Sequence, residues 1–158
     1  MLGELNVEEI ENVLNKETVG RIGCHADGIT YVVPVTYAYD GQYIYAHSGK
    51  GLKIDMMKKN PEVCFEVDSI QDMANWQSVI AWGKFEEITG EIEKHAAMQK
   101  LIDRLMPLMT SETAQPTHGL NSHAQDTGNM AAILYRIKLN KKSGRFEKRN
   151  GHQPVEKK

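Results

Sequence analysis

The chain lacks several things, and each shortage narrows what it can be. No apolar run in its 158 residues approaches the roughly 20 positions a bilayer-spanning helix needs, so no helical membrane span is expected. Cysteine occurs only at Cys24 and Cys64, both in apolar strand-like surroundings and without Cys-x-x-Cys spacing. That pattern reads as two reduced, buried thiols and a cytoplasmic location. Charge of one sign is missing too. With 19 Lys and Arg against 21 Asp and Glu, the net charge of -2 offers no bulk attraction for nucleic acid or an acidic membrane. The first residues, "MLGELNVEEIENVLNK", are acidic and amphipathic, unlike a secretion signal. Also absent are the Gly-x-Ser-x-Gly elbow of a serine hydrolase and the Walker A order of a nucleotide triphosphatase.

Apolar residues at 41% and charged residues at 25% suit a packed globular core. One domain is expected over residues 1–148, followed by a polar tail over 149–158. "NVEEIENVLNK" carries Val7, Ile10, Val13 and Leu14 at helical spacing, with Asn6 as N-cap. Residues 18–48 read as three strands joined by hairpin signals at "ADG" (26–28) and "DG" (40–41). Pro34 falls inside the second of these and marks an edge, a bulge or a backbone facing a ligand. "GLKIDMMKKN" is a short helix that Asn60-Pro61 ends. "EVCFEVDSI" and "WQSVIAWGKFEEI" follow as strands, the second with a bulge or bend at Gly83. An amphipathic helix over "GEIEKHAAMQKLIDRLMPLM", kinked or ended before Pro107, comes next, and "AAILYRIKLNKKSGRFEKR" supplies a last strand and a short return strand. Many strands and few helices predict a mainly β protein, an antiparallel barrel with peripheral helices. The aperiodic stretch over 110–130 reads as a lid beside a site or as a disordered loop.

The stretch "HSGKGLK" (47–53) holds a hydroxyl, permissive glycines and two lysines just ahead of a helix. That chemistry suits a phosphate, although a plain strand-to-helix turn has the same composition. Taken with "NPEVCFEVD" and "SVIAWGKFEEI", it resembles the pyridoxamine 5′-phosphate oxidase-like superfamily of FMN-binding split β-barrels, nearest its nitroimidazole-resistance reductase branch. The resemblance covers residues 1–148 and implies a homodimer with FMN in the groove between subunits. It implies that Val33, Pro34, Val35 and Thr36 run beside the flavin ring. Ala46, His47, Ser48 and Lys53 would hold ribityl and phosphate, and Ser78 would make a further polar contact. What it implies of activity is an FMN-dependent reductase of small aromatic or nitro-aromatic compounds, with NAD(P)H as donor. A flavin-binding or storage protein, or a haem-handling relative of the same fold, are the other readings. The C-terminus "GRFEKRNGHQPVEKK" lacks the Trp-and-Arg substrate signature of authentic pyridoxamine phosphate oxidases, so pyridoxal synthesis is not expected.

Beyond the cofactor, His47 is the candidate proton donor, with cofactor hydrogen bonding as the alternative role. His118 and His123 have no carboxylate or cysteine partners at ligand spacing, so no metal site is expected. Glu66 and Asp68 read as a solvated face rather than a hydrolytic pair.

Overall fold

Buried and exposed side chains alternate along β6 (Glu62–Asp72) and β7 (Asn75–Glu87), and this hairpin is the spine of the molecule. Val63, Phe65, Val67, Val79, Ala81 and Phe85 point to one side, while Glu66, Ser78 and Ile80 lie on the other. The computed structural model describes residues 1–108 and 132–149. Within them the remaining elements are β1 (Leu2–Glu4), α1 (Val7–Lys16), β2 (Val19–Ala26), β3 (Ile29–Thr36), β4 (Ala38–Tyr39), β5 (Tyr43–Ser48), α2 (Leu52–Lys59), α3 (Glu91–Leu105) with a 3-10 turn after it (Met106–Leu108), and β8 (Ile133–Glu147). The sequence stretch over 110–130 and the tail beyond residue 149 fall outside the described residues.

All strand pairs are antiparallel, in the order β3-β2-β6-β7-β8-β5-β4, with β1 on β8. The β2–β3 turn places Asp27 (φ 54°) and Gly28 (φ 75°) in the left-handed region, as a two-residue hairpin on twisted strands requires. At the second hairpin Asp40 Oδ1 accepts from the Gln42 and Tyr43 amides at 3.0 and 2.8 Å.

Two expectations need correction. The C-terminal segment is one strand of 15 residues, not a strand and a return. Its polar stretch looked like a turn, but it stays paired to β7, with Asn140 as the extra residue opposite the Trp82–Gly83 step. That bulge bends β8 without reversing it, and Gly83 permits the close approach. The N-terminal strand β1, absent from the sequence reading, is too short to show alternation and exists because the end of β8 offers it an edge.

The ends of the sheet curl toward each other, since β3 and β4 are joined through Tyr37 alone. Inside the curl lie Ile22, Ile44, Phe65, Val67, Val79 and Ile137, all fully buried. Each such side chain contributes about 1.5–3 kcal/mol by leaving water. Helix α1 packs its Ile10, Val13 and Leu14 into this core. Its start carries the reciprocal bonds of a capping box between Asn6 and Glu9, and the Tyr37 hydroxyl donates to the Leu14 carbonyl at 2.8 Å. A second core forms on the other side of β4, β5 and β8, where α3 sets Ala97, Leu101 and Leu105 against Ala38, Tyr45 and Leu134. No helix among the described residues is long and apolar enough to cross a membrane.

Candidate functional site

The barrel does not close between β3 and β5. The β4–β5 ladder stops at Ala38↔Tyr45, and β3 stays paired with β2 along its whole length. Continuing the hairpin register would set Thr36 opposite His47 and Val35 opposite Ser48, yet no ladder joins them. One edge of β3 and one edge of Ala46–Ser48 are therefore left without a strand neighbour among the described residues. Backbone groups on such edges must find a partner in a ligand, water or another chain. Pro34 sits in this free-edged strand without breaking the β2 ladder (Arg21↔Pro34), which a proline tolerates when its nitrogen faces the open edge.

Just beyond β5 the chain enters α2. Its N-cap, Gly51, makes no side-chain capping bond, in contrast to the capped start of α1. The first amides of α2 thus keep their donors and the positive end of the helix dipole. Ser48 Oγ lies at this corner and donates to the Gly49 carbonyl at 2.9 Å. Lys53, in the first turn, is half-buried. Burial holds its ammonium below the ordinary lysine range, with the nearby Cys24 thiol pulling weakly the other way. Burial in turn raises the thiol, as does Cys64, while Lys53 opposes this. A cation kept at the edge of the core, with no carboxylate to pair it among the described residues, is a site that an anion would relieve.

The sequence-derived residues divide accordingly. Val33 to Thr36 line the free edge of β3, and Ala46, His47, Ser48 and Lys53 gather at the facing corner. The Val35 and Ala46 side chains are core, so these two present only backbone to the split. His47 is half-buried at the end of β5, opposite Leu134. Ser78 stands apart. It is opposite Arg145 on β8, whereas His47 is opposite Leu134 of the same strand, up to about 35 Å away at about 3.3 Å per residue. Within one chain Ser78 instead donates to Glu66 Oε1 at 3.2 Å.

Sequence reasoning missed what surrounds Ser78. Arg21 Nη1 bridges Glu66 (3.2 Å) and Asp68 (3.0 Å), so these carboxylates are not simply solvated. The signal was two alternating strands with opposite charges, but only the Arg21↔Glu66 register joins them. Around this network the outer face of β2, β3, β6 and β7 bears exposed Val32 (63%), Ile80 (39%) and Trp82 (37%). Cys64 lies on this same face, half-exposed against Gly23, which corrects the expectation that both thiols are buried. Among the described residues no group of His, Cys, Asp and Glu is placed to hold a metal; His118 and His123 lie outside them.

A family model described as pyridoxamine 5′-phosphate oxidase matches residues 6–146. A FAD-binding protein from Mesorhizobium loti is 30% identical, with a TM-score of 0.73 over 92% of this chain and 98% of that one. A Bacteroides thetaiotaomicron protein assigned to 5-nitroimidazole antibiotic resistance gives a TM-score of 0.67 over 92% of this chain and 87% of that one. At 18% identity the latter likeness is one of fold. An uncharacterised Rhizobium meliloti protein is 35% identical over 81 residues, 51% of this chain and 54% of that protein, so the match spans about half of that relative. With the split antiparallel barrel in place and the family model matched along most of its length, the chain belongs to the pyridoxamine 5′-phosphate oxidase family.

Proposed function

We propose that the protein binds FMN in the split between β3 and β5 and acts, as a homodimer, as a flavin-dependent reductase of small aromatic or nitro-aromatic compounds, drawing electrons from NAD(P)H. The observation that carries this reading is the uncapped start of α2 beside the half-buried Lys53, at the mouth of two unpaired strand edges. These residues fit the cofactor. A phosphate would take donors from the first α2 amides, Ser48 and Lys53. The free backbone of Val33–Thr36 would meet the polar edge of the ring, with the β3 and β5 edges excluding water from it.

When bound, the flavin supplies the hydride and electron transfer, and the chain's residues bind and orient it. His47, at the β5 end of the split, would hold or pass a proton there. The bare outer face around Val32, Ile80 and Trp82 is the surface for the second copy, with the Arg21–Glu66–Asp68 network giving it charges of both signs. Ser78 lies on that face, so the partner's Ser78 is the one that would approach the flavin.

Purified protein is expected to be yellow, with the flavin band at about 450 nm that bleaches when NADH or NADPH is added anaerobically. Yellow protein that neither nucleotide bleaches would instead be a flavin binder without this turnover. Colourless protein that FMN and FAD both fail to reconstitute overturns the flavin reading. Chromatography of the released cofactor separates FMN from FAD, the ligand named for the Mesorhizobium loti structure. For the dimer, Trp82→Glu places a charge on the bare face and is expected to convert a dimer into monomers by light scattering. A wild-type protein that is already monomeric sinks the dimer and the partner's role with it.

A further inference from the structure

Helix α2 is open at its start and tied down at its end. At the start, Gly51 makes no side-chain cap, and nothing lies within 4 Å of a Cβ placed there. At the end, the Asn60 amide donates to the Met56 carbonyl at 2.9 Å and closes the helix. The Asn60 side chain then bonds in two directions. Its Nδ2 donates to the His25 carbonyl on β2 at 2.8 Å, and its Oδ1 accepts from the Glu62 amide at the start of β6 at 3.2 Å. The next carbonyl, that of Pro61, accepts from the Phe85 amide on β7 at 2.8 Å. The β2–β6 ladder ends at Gly23↔Cys64, and Pro61 has no N–H with which to carry pairing further. The Asn60 carboxamide supplies a donor and an acceptor just past that point, so one side chain joins helix, β2 and β6.

Two ion pairs lie at the same end, Lys58 to Glu87 at 3.0 Å and Lys59 to Asp27 at 2.6 Å. Lys59 and Asp27 are 61% and 68% exposed, so their pair is worth little; the Asn60 bonds are shorter-stemmed and directional. Apolar packing alone does not place a helix to hydrogen-bond accuracy. Ile54, Met56 and Met57 bury α2 against the core, but such contacts are non-directional, and methionine adapts its shape. The eight residues of α2 form a rod of about 12 Å. A tilt about its packed face therefore moves the first amides and Lys53 while most of the burial is kept. A phosphate held by those groups needs them within about 0.5 Å of the productive position.

We infer that Asn60 is a positioning residue for the flavin phosphate: by fixing the end of α2 to β2 and β6, it sets where the first α2 amides and Lys53 stand. This role rests on the flavin reading and deepens it, since Asn60 sits at the opposite end of the helix from the phosphate corner. The consequence is selective. FMN and riboflavin share ring and ribityl chain and differ only in the phosphate, so loss of the Asn60 bonds lowers affinity for FMN alone.

Asn60→Ala and Asn60→Leu remove the donor and the acceptor without adding charge. Each flavin-free protein is titrated with FMN and with riboflavin by fluorescence quenching, and thermal unfolding shows that it is folded at the titration temperature. Both variants are expected to bind FMN about fivefold or more weakly, and riboflavin within about twofold of the wild type. Gly83→Ala, whose added methyl meets β8 and not α2, is expected to keep the wild-type ratio of the two affinities. That ratio therefore reports the position of α2 and not overall stability. An unchanged ratio in the Asn60 variants, the same fall in Gly83→Ala, or loss of the fold in both Asn60 variants overturns the inference. Wild-type protein that binds neither flavin rejects the flavin reading and the Asn60 role with it. Wild-type protein that binds FMN and riboflavin equally keeps a flavin site but rejects both the phosphate corner and the Asn60 role.

Discussion

Lys53→Met is expected to weaken flavin binding by about 1–3 kcal/mol, roughly 5- to 150-fold, measured by the quenching of flavin fluorescence on titration with flavin-free protein. The same change is expected to raise the melting temperature of that flavin-free protein. The two effects share one cause. Lys53 holds an ammonium at the edge of the core, and burial lowers its pKa from the ordinary 10.5. For the folded chain alone the charged amine is therefore a cost, and methionine fills the space without it.

The pH dependence has a definite sign. Because the folded pKa lies below the unfolded 10.5, flavin-free stability gains as pH rises through the folded pKa and levels off near 10.5. A bound phosphate favours the ammonium, so flavin affinity is full below the flavin-free pKa and declines as pH climbs through the higher pKa of the complex. Lys53→Met should flatten that alkaline decline. Unchanged affinity and an unchanged alkaline limb in the variant would remove Lys53 from the phosphate site.

Gly83→Ala is the second large effect, expected to destabilise the fold by about 3 kcal/mol in urea unfolding of the flavin-free protein. A Cβ there would stand 2.3 Å from the Lys138 carbonyl oxygen and 2.9 Å from Ile137 Cγ2. The oxygen belongs to β8 at the bulge, where the β7–β8 register shifts, and cannot withdraw without breaking the ladder. Gly51→Ala is the control. Its φ of 171° is extended backbone open to any residue, and no atom lies within 4 Å of the added methyl. Stability there should change by less than about 0.5 kcal/mol. Equal losses at the two positions would mean that the Gly83 contact is not what constrains the bulge.

Much of this architecture was legible because the local signals agree. Helix α1 announces itself by spacing and by Asn6, and the β2–β3 turn by Asp27-Gly28. Strands β6 and β7 show by alternation, and the end of α2 by Asn60-Pro61. The polar end of β8 was misread because polar composition marks both turns and exposed strands, and pairing with β7 decides between them. The corner between β5 and α2 was visible as "HSGKGLK", but its chemistry was ambiguous there. The missing cap on α2 and the burial of Lys53 are properties of packing.

By itself the sequence determined the family and the order of the main elements from α1 to β8, short strands aside. Those follow from spacing, turn chemistry and a motif read along one chain. Tertiary structure decided which edges stay unpaired, that Arg21 spans Glu66 and Asp68, and that Ser78 stands far from His47. The physical reason is that register and closure are long-range quantities. A strand's own residues say which of its sides is apolar, but only its neighbours say which edge is left open and what stands across from it.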